Sequence, residues 1–277
     1  GKVIQKDILV IQDTLPVGNL TAVRHANGRD WWLITNEIYS NRFYRILISS
    51  DGVTLTGSQT VGSTVKTGVG QSVFSPDGTH YARYYTVSTQ VGAYLEVYDF
   101  DRCTGLLSNH HQYHFINRGW GGLAFSPNSR YLYVNYEQLV FQYDMQAEDI
   151  FASPVTVATW DGYTSPYPTR FFFMQLAPDG KIYSATTTGS NVLHVIQRPD
   201  EPGLSCRYEQ HAIHLPTYNS LSIPNFPNYR LGPLDGSACD TLDLDNVPVA
   251  WFRYDRDTLD AWSVEFRDLS YYAPDSW

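Results

Sequence analysis

Apolar and aromatic residues fall in short runs along this chain, bounded by turn-forming residues. Tyr81-Ala82-Arg83-Tyr84-Tyr85, Tyr131-Leu132-Tyr133-Val134 and Val192-Leu193-His194-Val195-Ile196 are examples. No helical period survives over a useful length, so the runs predict strands and an all-β chain. They are paired around a recurring turn. Ser75-Pro76-Asp77-Gly78 returns as Ser126-Pro127-Asn128-Ser129 and as Ala177-Pro178-Asp179-Gly180, each copy 51 residues after the last. Proline presets φ at the second turn position, and Gly or Asn tolerates a positive φ.

Two further strands fill each period, at 94–98 and 112–116, at 139–143 and 155–159, and at 192–196 and 209–213. A weaker copy upstream has strands at 20–24, 31–35, 43–48 and 55–61, with its turn at 25–30. Four strands per 40–50 residues, roughly, is the pattern of propeller blades. The sequence therefore predicts a β-propeller of four-stranded antiparallel blades. Four periods and a fifth inner strand beginning at 222–226 give about five blades. Residues 3–12 are expected to pair in the last blade and close the ring. Tail strands at 249–254 and 262–267 would fill that blade's middle.

Charge changes the picture at one place. Residues 235–277 hold ten Asp and Glu against three Arg, so seven of the chain's nine net negative charges lie there. That shift sets a boundary near 233–246 and divides the chain into a propeller, 1–246, and a short tail, 247–277. The tail is expected to dock on the propeller, because Trp251, Phe252, Trp262 and Phe266 are too apolar to leave in water. A net charge of −9 argues against nucleic acid, which selects basic patches. No stretch reaches the length of a membrane span, so no membrane insertion is expected. Aromatics at 15%, including 21 Tyr, suit strand faces of extracellular or periplasmic proteins. Cys103, Cys206 and Cys239 match no zinc spacing, and one disulfide with one thiol left over is expected, with Cys206–Cys239 as the pair.

Four segments together carry a resemblance: His25-Ala26-Asn27-Gly28-Arg29-Asp30-Trp31-Trp32, Phe74-Ser75-Pro76-Asp77-Gly78, Val97-Tyr98-Asp99-Phe100-Asp101-Arg102-Cys103-Thr104-Gly105 and Pro224-Asn225-Phe226-Pro227-Asn228-Tyr229-Arg230-Leu231-Gly232. They resemble the propeller region of large secreted bacterial proteins that carry a type IX secretion sorting domain. The resemblance covers roughly residues 1–245. In that family a PKD-type domain commonly follows the propeller, and 247–277 looks like the opening of one. The resemblance implies a secreted or cell-surface location and an internal piece of a longer chain. It implies no reaction.

Nucleophile and nucleotide motifs are lacking: there is no Gly-x-Ser-x-Gly elbow and no phosphate-binding Gly-Lys loop. His110, His111 and His114 lack the i,i+2 spacing that two ligands of one metal need on a strand, and His211 and His214 face opposite sides of one. Asp240, Asp243 and Asp245 lack the Gly and Glu of a calcium loop and read as a solvated acidic linker. The His25, Asn27, Arg29 and Asp30 side chains are read as fixing their turn. The remaining candidates come from propeller geometry, on the rim where inner strands begin. Mapping the repeat places Asn19, Gln71, Arg118, Trp120, Arg170 and Tyr218 there. Glu37 and Glu137 join them from the ends of second strands, at matching repeat positions. Oxygen donors converging from several blades suit calcium, so Glu37, Glu137, Asn19 and Gln71 form the expected metal set. Arg118, Trp120, Arg170 and Tyr218 form the expected ligand-binding set.

Two functions from different classes follow. One is a secreted binding or display module with no catalytic motif, monomeric, whose partner is a small molecule, a glycan or a surface protein. The other is a calcium-dependent hydrolase of lactones or related esters, by analogy with propellers of the gluconolactonase kind that hold calcium at the channel mouth.

Overall fold

Each repeat folds as a four-stranded antiparallel meander. The computed structural model describes residues 6–64, 69–88, 90–116, 118–256 and 262–272. The first sheet contains β1 (Thr21–Arg24), β2 (Trp31–Asn36), β3 (Arg42–Ser49) and β4 (Gly52–Thr60). The second contains β5 (Val69–Phe74), β6 (His80–Ser88), β7 (Gly92–Asp101) and β8 (Leu106–Phe115). The third contains β9 (Gly121–Phe125), β10 (Tyr131–Tyr136), β11 (Leu139–Asp144) and β12 (Val155–Thr159). The fourth contains β13 (Phe171–Leu176), β14 (Ile182–Thr186), β15 (Ser190–Ile196) and β16 (Tyr208–Asn219). In every sheet the strands lie in chain order, and the sheets pack face to face with their first strands innermost. The fold is a β-propeller.

The repeated turn has one backbone design. His25, Ser75, Ser126 and Ala177 each donate from N to the carbonyl of Asp30, His80, Tyr131 and Lys181, at 2.8–2.9 Å. The third residue beyond each takes a left-handed φ: Gly28 at 75°, Gly78 at 74°, Ser129 at 63° and Gly180 at 75°. Glycine is selected there by that φ. Ser129 carries it with a side chain, and its Oγ accepts from Asp77 N at 3.0 Å, tying the second and third turns together. In the first turn Asn27 Oδ1 accepts from the backbone N of Arg29 and Asp30, so its polar side chains do fix the turn.

The core lies between blades. Trp32, Ile34, Phe43, Tyr81 and Tyr98 fill the first junction, Leu95, Val97, Leu123, Leu132 and Tyr143 the second, and Tyr133, Val140, Phe171 and Ile182 the third. A charged lock sits in the first junction. Arg83 and Glu96 are both 0% exposed and pair directly. Glu96 also accepts from Tyr98 OH at 2.8 Å and Gln112 Nε2 at 2.8 Å. The Arg83 guanidinium lies 4.6 Å from the Phe43 ring centre and 5.3 Å from that of Tyr85.

Closure differs from the expectation. Among the described residues, four complete sheets form, and β1 and β13 do not pack side by side. Residues 6–12 and 222–226 form no strand, while residues 3–5 of the expected strand 3–12 lie outside the described part. The tail strands β17 (Phe252–Arg256) and β18 (Val264–Asp268) pair only with each other and do not enter a four-stranded sheet. The segments 222–235, 247–256 and 262–272 instead lie along the rim that carries the repeated turns. Leu234 N donates to Ala26 O at 2.8 Å, Asn228 Nδ2 to Pro76 O at 2.8 Å, and Arg102 to Gly232 O. The disulfide joins Cys103 to Cys239, with Cα atoms 5.6 Å apart, and not Cys206 to Cys239. Cys206 is fully buried in a short 3-10 turn (Gly203–Cys206), packed in the core of the third junction.

Candidate functional site

The two rims of the propeller carry different chemistry. On the rim where inner strands begin, the structure brings four of the expected residues together. Arg170 Nη1 pairs with Glu137 at 3.0 Å and its guanidinium lies 5.3 Å from the Trp160 ring centre. Arg118 covers the Tyr136 ring at 4.7 Å, and Trp120 stands beside Phe172, 49% exposed. Glu137 is an organiser here. At a φ of 37°, its N donates to Trp120 O and its O accepts from Phe171 N at 2.7 Å, which joins the third and fourth sheets. Burial holds the neighbouring Tyr84 phenol protonated, and its OH donates to Gly119 O at 2.8 Å.

The other expected residues do not join that cluster. Glu37 pairs with Arg42 at 3.7 Å within the first sheet. Counted from the turn hydrogen bonds, Glu137 corresponds to Asn36, one residue away from Glu37. Asn19 is fully buried, opposite Asn36 in the extended β1–β2 register. Gln71 is committed to backbone: its Oε1 accepts from Leu123 N and Met174 N at 3.0 and 3.2 Å, and its Nε2 donates to Met174 O at 2.5 Å. One side chain from β5 thus ties β9 and β13. A Cβ at Gly122 would stand 2.6 Å from Phe173 Cα and 2.7 Å from Gln71 Oε1, so the inner strands meet with no channel at that level. Tyr218 lies in β16, the outermost strand of its sheet, 69% exposed. Glu37, Glu137 and Gln71 thus spend their oxygen atoms on arginines and backbone amides in different blades, while the buried Asn19 amide has no hydrogen-bond partner among the described residues. Among the described residues, no three His, Cys, Asp or Glu side chains come together.

The histidines have partners of their own. His110 lies 3.4 Å from Glu96, while His114 stacks on Tyr94 with ring centres 4.3 Å apart. His211 pairs with Asp161 at 2.8 Å without a hydroxyl or thiol bonded to it. Thr79, His80 and Asp99 come nearest to a nucleophile–base–acid row, with Thr79 Oγ1 2.8 Å from His80 Nδ1 and His80 Nε2 3.6 Å from Asp99. Thr79 gives its proton to Asp77 at 2.9 Å, so His80 donates to it and does not act as its base.

His194 is structural. It is fully buried, its Nε2–H donates to Thr169 O at 2.9 Å and its Nδ1 accepts from His211 N at 2.9 Å. Burial pulls its pKa down from 6.5 to about 4. Between those values the unfolded chain binds a proton that the folded one refuses. Stability from this residue is thus complete above pH 6.5 and is lost as the pH falls to about 4, by up to about 3 kcal/mol. Urea unfolding at several pH values should show this slope in the native protein and lack it in His194→Gln. Equal slopes would contradict the assignment.

The opposite rim, which sequence reasoning passed over, carries a cavity of about 1240 Å³. Its walls are the ends of the four inner strands at Val23, Phe74, Phe125 and Leu176, with the repeated turns. Its other side is formed by chain from Asn225–Asp235 and Asp268–Tyr272, including Tyr229, Tyr271 and Tyr272. Asn225, Asn228 and Asp235 add polar atoms. Arg230 lies over the Tyr271 ring at 5.4 Å, and Tyr229 meets Trp31 edge-on at 5.5 Å. The sequence signal was the Asn225–Gly232 run, which appeared only as a mark of resemblance.

No protein-family profile matches the chain, and no curated protein matches it by sequence. Solved structures do match. A candidate 6-phosphogluconolactonase from Bacteroides fragilis is 15% identical, with a TM-score of 0.48 over 72% of this chain and 56% of that one. A second, from Bacteroides uniformis, is 16% identical at a TM-score of 0.45, over 75% and 61%. Hydrazine synthase from Kuenenia stuttgartiensis is 11% identical at 0.46, over 89% and 70%. The chain thus spans about three fifths of the length of the two Bacteroides proteins. At these values the likeness carries no argument about activity. Among the described residues no helix is long and apolar enough to cross a membrane.

Proposed function

We propose that this chain is a binding module of an exported or cell-surface protein, and that the cavity on the turn rim receives its ligand. The observation that carries the reading is that cavity. Aromatic faces at Tyr229, Tyr271 and Tyr272, beside amides and a carboxylate, match what a small polar molecule or short glycan requires. The disulfide supports an oxidising compartment. The hydrolase reading has less support: three of the four expected donors, Glu37, Glu137 and Gln71, spend their oxygen atoms on Arg42, Arg170 and backbone amides.

Screening glycans and small polar metabolites by calorimetry tests the proposal. Tyr271→Ala should weaken the best ligand about tenfold, the loss of one aromatic anchor, without moving the melting temperature. A ligand indifferent to both Tyr271→Ala and Tyr229→Ala would place binding elsewhere. Lactone hydrolysis that disappears with chelator and with Glu137→Gln would favour the enzyme instead.

A further inference from the structure

The β17–β18 hairpin is docked with its charged face inward and its apolar face in water. Arg253 donates to Asp179 O at 2.7 Å and Gln197 O at 2.6 Å. Lys181 pairs with Asp255 at 3.2 Å, Arg198 pairs with Glu265, and Arg267 lies 3.8 Å from Glu201. Strand alternation then sends Phe252, Tyr254, Val264 and Phe266 outward, 61%, 58%, 41% and 66% exposed. They form one surface, with the Phe252 and Phe266 ring centres 5.5 Å apart and those of Tyr254 and Phe266 6.4 Å apart. This inverts the usual arrangement, in which the apolar face of a sheet covers the core. It also corrects the expectation that docking would hide Trp251, Phe252, Trp262 and Phe266, all of which stay exposed.

We propose that this face is a self-association surface that packs against the same face of a second copy. Two observations favour a second copy. The first is area. At about 150–250 Å² per buried aromatic, the exposed fractions amount to about 400 Å² per copy. Doubling that gives about 800 Å², the size of a weak, reversible interface. The second is charge. Arg256 and Asp268 share this face at diagonally opposite corners, because Arg256 pairs with Val264 and Phe252 with Asp268. With about 3.4 Å per residue and about 4.8 Å between strands, the Arg256–Asp268 diagonal lies about 20° off the strand direction. When two such hairpins stack face to face about a two-fold axis perpendicular to that diagonal, their strands cross at about 40° and Arg256 of each copy meets Asp268 of the other. The face is neutral and self-complementary, although the chain carries a net charge of −9.

Sedimentation velocity over a concentration series of the whole chain tests this. A monomer–dimer equilibrium with Kd on the order of 10–100 μM is expected for so small an interface. Phe252→Ser/Phe266→Ser should be monomeric throughout. Arg256→Asp, which leaves the apolar positions untouched, should weaken the dimer about tenfold, and Arg256→Asp/Asp268→Arg should restore it. A native chain that stays monomeric across the series overturns the proposal, as it would if the face served a different protein. So does a dimer that survives the serine changes, or one that ignores the charge reversal.

Discussion

Glu96→Gln should lower the melting temperature by about 6–20 °C. Glu96 and Arg83 are both fully buried, and the substitution keeps a side chain of the same shape while removing the charge that compensates Arg83. An uncompensated buried charge costs about 3–5 kcal/mol, and each kcal/mol moves the melting point of a chain this size by about 2–4 °C. Coulombic attraction to Arg83 holds the Glu96 carboxyl below its usual range against the opposing effect of burial. Because that pKa is depressed on folding, the stabilisation is present at neutral pH and is lost as the pH falls through the folded value. The double change Arg83→Met/Glu96→Gln should recover much of the loss, since it removes both buried charges. A single-variant shift under about 2 °C in differential scanning calorimetry would show that the pair adds little at the first blade junction.

Reduction of the Cys103–Cys239 disulfide should cost about 2–5 kcal/mol. The bond closes a loop with a sequence separation of 136, and removing it frees the denatured chain to a degree that rises with the logarithm of that length. Cys206 is unpaired, so a reductant acts on one bond. The disulfide also pins the chain that walls the turn-rim cavity. Once it opens, 234–246 retains the Leu234–Ala26 backbone bond and the two hydrogen bonds that Asn246 donates to Pro233 and Asp235. Reduced protein should therefore be cut by protease within 236–246 and should bind cavity ligands more weakly. Urea midpoints that agree within about 0.5 kcal/mol with and without reductant would refute the stability effect.

Much of the blade structure was legible because its causes are local. Alternating apolar runs select strands, and Pro-Asp-Gly or its equivalent selects a tight turn with a left-handed residue in it. A 51-residue period then repeats the unit. Strand edges moved by up to six residues: the predicted 81–85 became His80–Ser88, and 112–116 became Leu106–Phe115. The extra length came from ladder partners, which a run of side chains does not encode. That Arg118, Trp120, Arg170 and Glu137 share one rim was legible from the repeat, but the Glu137–Arg170 pairing that crosses the expected metal and ligand sets was not.

Other features depended on which surfaces met. Gln71 reads as a polar residue on an inner strand, and only the approach of β9 and β13 gives its amide three backbone partners. Cysteine pairing follows from the path of 222–246 across the first two blades, and no spacing in the chain records that path. The alternation in Phe252–Arg256 and Val264–Asp268 was readable as two faces. Which face turned inward was decided by Lys181, Arg198, Asp179 and Gln197, residues of the fourth blade that supply charge and carbonyl oxygen where an apolar seat would have been needed. The sequence by itself thus determined the repeating unit, since strand alternation and turn φ are set within a few residues. Tertiary structure alone decided the cavity, the disulfide and the outward aromatic face, since each arises where segments more than 50 residues apart come into contact.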